Sequence, residues 1–248
     1  MAPVTLLSTH GLSKSFGGLQ AVQNVDFDLK TGEIRAIIGP NGAGKTTFVS
    51  LLSGRIEPTS GQIRFEGADI TGDPAFRRVR KGIAYTFQIT SVYPKLSAAE
   101  NVALAAQSAL QRDSGILGRI EQTLLAERTD AALARVGLAD RRQTLAGNLA
   151  YGHQRLLEVA MGLALEPKLL ILDEPTQGLS DGEIDNFCAL VKDIARTATI
   201  LLIEHNMPVV MRLADSITVL NYGEVLASGT PDAIRADPAV QAAYLGAA

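Results

Sequence analysis

Residues 39–47 read Gly39-Pro40-Asn41-Gly42-Ala43-Gly44-Lys45-Thr46-Thr47. Two glycines separated by four residues lead into a lysine and two hydroxyl side chains. The apolar run Ile34-Arg35-Ala36-Ile37-Ile38 precedes this segment and Phe48-Val49-Ser50-Leu51-Leu52 follows it, so the order is strand, glycine turn, helix. That order restricts the fold to an α/β sheet with the turn at the carboxyl end of a strand. The glycines let the backbone curl until successive N–H groups point inward, and the new helix adds its positive N-terminal end. Gly39, Pro40, Asn41, Gly42, Ala43, Gly44, Lys45, Thr46 and Thr47 are therefore expected to cradle the phosphates of a nucleoside triphosphate. Lys45 would reach the β- and γ-phosphates, and the Thr46 hydroxyl would bind Mg²⁺.

With 248 residues and 46% hydrophobic content, the chain can bury a substantial core, as one large domain or one domain with a subdomain. Its net charge of −3 gives no sign of a nucleic-acid surface. One cysteine, Cys188, excludes an internal disulfide framework, fits a reducing cytosol and reads as a small apolar residue on a helix face. Met1–His10 lacks signal-peptide form, and no run of about 18 apolar residues occurs, so the chain is not expected to cross a membrane.

Leu6–Lys30 reads as short β-like stretches broken at Phe16-Gly17-Gly18 and Thr31-Gly32, and Gln62-Ile63-Arg64-Phe65 as another strand before the turn Glu66-Gly67. Ile83–Phe87 is a predicted buried strand ending at Gln88. From Ser97 to about Val136 the period becomes helical, with Ser97 and Glu100 in capping-box spacing and Gly115 and Gly118 as breaks. Beyond Gly152 helices and strands alternate. Leu169–Leu172, Thr199–Ile203 and Ile217–Leu220 are nearly unbroken apolar runs, as parallel strands covered on both faces should be. Asn221-Tyr222-Gly223 marks a hairpin into Glu224–Ala227. Arg77-Arg78-Val79-Arg80-Lys81, the one compact basic run, reads as the solvated face of a short helix. The expected architecture is α/β: a phosphate-loop core with a mainly parallel sheet, an antiparallel β layer and an inserted helical subdomain.

Lys168-Leu169-Leu170-Ile171-Leu172-Asp173-Glu174-Pro175 is an apolar strand ending in adjacent carboxylates, at the end of a parallel strand where ligands gather. Asp173 is suited to hold Mg²⁺, directly or through water, and Glu174 to polarise the water that attacks the γ-phosphate.

The order of phosphate loop, Gln88, Leu149-Ala150-Tyr151-Gly152-His153-Gln154-Arg155, Asp173-Glu174 and His205 resembles the nucleotide-binding subunit of ATP-binding-cassette transporters over essentially the whole chain. The resemblance implies one ATPase domain over 1–248. Its nucleotide-binding core and β layer would occupy about 1–88 and 166–248, and a helical subdomain with the signature loop about 89–165. It implies ATP and Mg²⁺ as cofactors and a head-to-tail dimer, with a second copy or a related ATPase subunit. Each ATP would lie between the phosphate loop of one subunit and Ala150, Tyr151, Gly152 and His153 of the other. Phe16 matches the aromatic that stacks on adenine. Gln88 matches the glutamine that senses the γ-phosphate and Mg²⁺ near the membrane partner, and His205 the histidine that contacts the γ-phosphate. Glu174, His205, Lys45 and Gln88 are thus the expected catalytic group, and Thr46, Gln88 and Asp173 the expected metal ligands. Two departures stand out: Ala150 replaces the usual serine, and Ser180 a frequent aspartate. Both fall on contacts across the dimer. His10 lies outside this pattern and reads as structural or exposed.

Leu12–Val22, the form Leu-x-Tyr-Gly-x-Gln-Arg at 149–155, Ala243-Tyr244-Leu245-Gly246 and the long helical segment near Ala106–Glu127 look like the branched-chain or hydrophobic amino acid uptake branch. The implied partners are transmembrane permease subunits and, indirectly, an extracytoplasmic solute-binding protein, with the chain peripheral on the cytoplasmic face of the inner membrane and no nucleic acid involved. Relatives in this branch import urea, short amides or aromatic acids, so the solute stays open. A lipopolysaccharide-export ATPase is a related alternative that Tyr151 disfavours. A soluble cassette of DNA repair or translation is a third, disfavoured by the single cassette and the acidic balance. A pure binding module would be excluded by measurable ATP turnover.

Overall fold

A computed structural model describes residues 4–86, 91–114 and 121–245. In chain order the elements are β1 (Thr5–Phe16), β2 (Leu19–Lys30), β3 (Ile34–Ile38), α1 (Lys45–Leu52), β4 (Ser60–Phe65), β5 (Ala68–Asp69), α2 (Ala75–Lys81), β6 (Ile83–Thr86), α3 (Ala98–Ser114), α4 (Gln122–Arg135), α5 (Tyr151–Ala164), β7 (Leu169–Asp173), α6 (Asp181–Ile194), β8 (Thr199–Ile203), α7 (Met207–Leu213), β9 (Ser216–Asn221), β10 (Glu224–Gly229), α8 (Pro231–Ala236) and α9 (Pro238–Leu245). The chain divides into two compact units, Met1–Arg78 with Ala195–Ala248, and Val79–Ile194.

The first unit holds two sheets. One is antiparallel, in the order β2-β1-β4-β5. In the other, β3 pairs in parallel with both β8 and β9, and β10 folds back antiparallel on β9. The unbroken apolar runs have the expected consequence: every residue of β8 is buried, and Ile37 and Ile38 of β3 are fully so. Ala36 and Ile38 pack with Val210 of α7, Ile217 and Val219 of β9, Ile234 of α8 and Val240 of α9. Helix α1 contacts the antiparallel layer through Phe48, whose ring meets Phe27 of β2 edge-on at 5.4 Å. The hairpin read from Asn221-Tyr222-Gly223 is present, with Tyr222 and Gly223 both at positive φ (48° and 82°), as a two-residue turn between twisted strands requires.

The second unit pairs β6 and β7 in parallel, Tyr85 opposite Ile171 and Thr86 opposite Leu172, beside the helices α3, α4, α5 and α6. The predicted capping box opens α3: Ser97 N–H donates to Glu100 Oε2 (2.7 Å), and Glu100 N–H donates to Ser97 Oγ (3.2 Å). The Ser97 N–H and the Ser97 hydroxyl (2.8 Å), both donating to Oε2, hold the Glu100 carboxyl below its ordinary range. Phe87, Gln88, Gly115, Gly118 and Gly246 lie outside the described residues. Cys188 is a buried residue of α6, and His10 is exposed beside Asp26 at 3.0 Å.

The basic run 77–81 departs from the sequence reading. Arg77, Arg80 and Lys81 are exposed on α2, but Arg78 is 1% exposed. Its Nη1 donates to the carbonyls of Leu51 (2.6 Å) and Leu52 (2.9 Å), its Nε to Asp73 O and its Nη2 to Thr71 O. The carbonyls of the last turn of α1 lie at the negative helix end, and the guanidinium adds charged donors to them there. Burial lowers the Arg78 pKa to about 10, against the opposing pull of Asp73, so the group remains charged at neutral pH. Arg78 thus fixes the far end of the helix that begins with Lys45. Arg78→Ala is expected to cost about 3 kcal/mol by stranding buried carbonyls, lowering the thermal midpoint by roughly 6–12 °C. A melt superimposable on that of the unmodified protein would contradict this role.

Candidate nucleotide site

The loop 39–44 leaves β3 and enters α1 within the first unit. Gly44 is the N-cap of α1, in left-handed conformation (φ 95°), with no side-chain cap and no acidic residue in the first turn. The first-turn N–H groups of α1 therefore keep no carboxylate of their own, which suits an anion. Gly39 is required by a close approach: a Cβ there would overlap the carbonyl oxygen of Leu220 in β9. The β9–β10 turn holds the loop from the other side, Gly223 N–H donating to Ala43 O (3.0 Å). Gln23 of β2 secures that turn in its place, donating N–H to Gly223 O (2.8 Å) and Nε2–H to Tyr222 O (2.9 Å). Lys45, 9% exposed, folds its ammonium over the loop onto Gly39 O (2.6 Å) and Pro40 O (3.0 Å). Asn41, Gly42 and Thr46 are exposed at the mouth, Pro40, Gly44 and Thr47 half-buried, and Ala43 buried. A rigid loop, an uncapped helix start and a lysine lying over the backbone form a cradle that fits a polyphosphate.

Two other predicted residues belong to this unit. Phe16 ends β1 with its ring 49% exposed and Lys14 Nζ 5.1 Å from the ring centroid. It is not a core phenylalanine, and Lys14 lies over one face of its ring. His205 follows β8 and is exposed. Buried Glu204 accepts the N–H groups of His205 (3.0 Å) and Asn206 (3.1 Å), and Asn206 Oδ1 caps α7. The turn that presents the imidazole is therefore fixed by its neighbours.

The second unit carries the carboxylates and the signature segment. Leu169–Leu172 are completely buried and Asp173 is 2% exposed, its Oδ2 accepting the Tyr85 hydroxyl at 2.6 Å. Glu174 is half-buried at φ 46°, a left-handed conformation costly for a residue with a Cβ and found where a site imposes it. Among the described residues no three His, Cys, Asp or Glu side chains gather to hold a metal. Mg²⁺ is compatible with that donor set, because it is commonly held by one or two carboxylates together with phosphate and water oxygens.

Ala150 is the N-cap of α5 with no side-chain cap, the direct outcome of its missing hydroxyl, so the first N–H groups of α5 remain available to an anion. Tyr151 is exposed and His153 half-buried. Gly152 is buried, and the Glu183 carboxylate of α6 occupies the space a Cβ there would need. Ser180 has a local reason as well: its N–H (2.9 Å) and hydroxyl (2.7 Å) both donate to Glu183 Oε2 at the start of α6. Those bonds, with His153 nearby, hold the Glu183 carboxyl below its ordinary range. Residues that sequence reasoning missed cluster on α5. Arg155 and Glu158 form a buried ion pair (3.1 Å; side chains 4% and 5% exposed), Arg155 stacks over Tyr151 at 5.5 Å, and Glu158 Oε1 accepts Ser91 N–H at 2.6 Å. Burial raises the Glu158 pKa against the pull of Ser91 and Arg155. Arg and Glu three apart on a helix were the available signal.

The comparisons with known proteins agree with this geometry. The sequence family described as ABC transporter matches residues 22–177, and one described as branched-chain amino acid ATP-binding cassette transporter matches residues 224–248. The chain is 41% identical over 251 aligned positions to the high-affinity branched-chain amino acid transport ATP-binding protein LivG of Escherichia coli, covering 98% of each. It is 39% identical over 253 positions to BraF of Pseudomonas aeruginosa, again covering 98% of each. Two solved structures, a nucleotide-free ATP-binding cassette of an ABC transporter and a cassette in its ADP conformation, each superpose with a TM-score of 0.86 at 26% identity. They cover 97% and 98% of this chain and 99% of their own. Together with the phosphate cradle, these likenesses place the chain in the ATP-binding-cassette transporter family, as one of its ATP-hydrolysing subunits.

Proposed function

We propose that this chain hydrolyses Mg²⁺-ATP to drive uptake of branched-chain amino acids through a separate permease. The observation that carries this reading is the pair of sequence matches: branched-chain transport relatives at about 40% identity along the whole chain, and a branched-chain-specific match in its last 25 residues, 224–248.

In this reading Gly39–Thr47 binds the phosphates, Lys45 neutralises their charge and Phe16 stacks on the base. Thr46, Asp173 and Gln88 would hold the cation, which when bound would neutralise charge developing on the phosphates. Glu174 accepts the proton of the attacking water, and His205 hydrogen-bonds the γ-phosphate. Ala150, Tyr151, Gly152 and His153 serve the ATP of a second cassette, identical or related, through the uncapped start of α5. Residues 89–165 act as the helical subdomain on a nucleotide core formed by 1–88 and 166–248. Among the described residues no helix is long and apolar enough to cross a membrane. The spanning part of the transporter is accordingly assigned to permease subunits, supplied indirectly by an extracytoplasmic solute-binding protein, with this chain peripheral on the cytoplasmic face.

Ser91–Asn101 is the surface we assign to the permease. Buried Asn101 clamps it: its Oδ1 accepts Tyr93 N–H (2.7 Å), and its Nδ2 donates to the carbonyls of Tyr93, Leu96 and Ser97. The Tyr93 ring is nevertheless 55% exposed, beside exposed Pro94 and Lys95. A rigid loop presenting an exposed aromatic suits an interface anchor. Tyr93→Ala is expected to lower leucine uptake in cells by roughly 30-fold, the loss of an anchor worth about 2 kcal/mol, with basal ATPase of the purified chain unchanged. Equal loss of both activities would mark a folding or nucleotide role, and no loss of either would remove this stretch from the interface.

A further inference from the structure

Tyr85 and Asp173 are 88 residues apart in sequence and adjacent in space. Strands β6 and β7 run parallel with Tyr85 opposite Ile171, so the phenol reaches forward along the pair to the carboxylate that ends β7. The O–H···O distance of 2.6 Å is that of a hydrogen bond to a charged acceptor. Asp173 is 2% exposed at the end of four completely buried leucine and isoleucine residues, so solvent contributes little to its orientation. A carboxylate so placed takes its rotamer from the donors that surround it, and the Tyr85 hydroxyl is one of them.

We propose that Tyr85 is a positioning residue for cation binding: its hydroxyl sets the orientation in which Asp173 presents its carboxylate to the metal that accompanies ATP. The proposal rests on the assignment of Asp173 as a metal ligand made above. Hydrogen-bond partners of metal-ligating carboxylates fix ligand geometry, and their loss typically weakens metal affinity 10- to 100-fold. Phenylalanine at this position keeps the ring and removes the bond.

The test uses the purified full chain carrying Glu174→Gln, loaded with ATP, with Mn²⁺ as the probe followed by electron paramagnetic resonance. Tyr85→Phe and Asp173→Asn are compared in that background. The expected result is loss of the bound-Mn²⁺ signal in Asp173→Asn and an affinity lowered about tenfold or more in Tyr85→Phe. Binding of a fluorescent ATP analogue in EDTA should not change in Tyr85→Phe. Unchanged or tighter Mn²⁺ binding in Tyr85→Phe, with Asp173→Asn still deficient, would overturn the role of Tyr85 and leave Asp173 as ligand. A lowered thermal midpoint with unchanged Mn²⁺ affinity would likewise overturn it, reducing the bond to a structural one. Full Mn²⁺ affinity in Asp173→Asn would overturn the ligand assignment and the proposal together.

Discussion

Glu174→Gln is expected to lower ATP hydrolysis by roughly 10²-fold or more, the usual effect of removing a general base, while ATP still binds. The substitution keeps the size of the side chain and its capacity to hydrogen-bond. It also keeps the backbone demand, because Glu174 sits at φ 46° and glutamine meets the same steric cost there as glutamate. What is lost is the carboxylate proposed to take a proton from the attacking water. Purified protein assayed for phosphate release and for equilibrium ATP binding separates the two effects. With hydrolysis blocked, the ATP-bound form should accumulate as a dimer on size-exclusion chromatography. Undiminished turnover would remove Glu174 from the reaction. A monomer with ATP bound would place the stability of the dimer in the permease rather than in the cassette.

Lys45→Ala should abolish turnover by a different route. The ammonium lies over the phosphate loop on the carbonyls of Gly39 and Pro40, so removing it takes away the one side-chain charge placed by the loop itself. Charge-assisted hydrogen bonds are worth roughly 1.5–3 kcal/mol each. ATP affinity should therefore fall by about 10- to 100-fold per bond lost, and hydrolysis should drop below detection. The fold should survive, since α1 is held at its far end by Arg78 and the loop by Gly223 and Gln23. Far-ultraviolet circular dichroism and ATP titration on one preparation check both halves. Turnover at the level of the unmodified protein would refute the phosphate-binding assignment of the loop.

Most of what identifies this chain is legible in the amino-acid sequence alone, for a physical reason. The phosphate loop, the signature segment and Asp173-Glu174 are short contiguous stretches whose function depends on local backbone shape: a glycine turn, a helix start, the end of a buried strand. Local shape follows from neighbouring residues, so Gly39–Thr47, the Ser97–Glu100 box and the turn at Tyr222-Gly223 can be read directly. The buried strands β7 and β8 are equally plain, because a strand covered on both faces must be apolar at every position.

Tertiary structure decided the rest, wherever a polar group's fate depends on a partner far along the chain. Nothing around Arg78 distinguishes it from Arg77 and Arg80 except that its side of α2 meets the carbonyl end of α1. Ser180 stands where the family often has aspartate, and only the packed structure shows its N–H and hydroxyl donating to Glu183 at the start of α6. Tyr85 is one residue among several in a predicted strand, and only the parallel register of β6 and β7 brings its hydroxyl to Asp173. Arg155 and Glu158 carry the spacing of a helix pair but give no hint that Ser91 donates to the carboxylate. Periodicity determines which side of an element is apolar. Which charge that side buries, and on whose carbonyl it comes to rest, is set only when the elements pack.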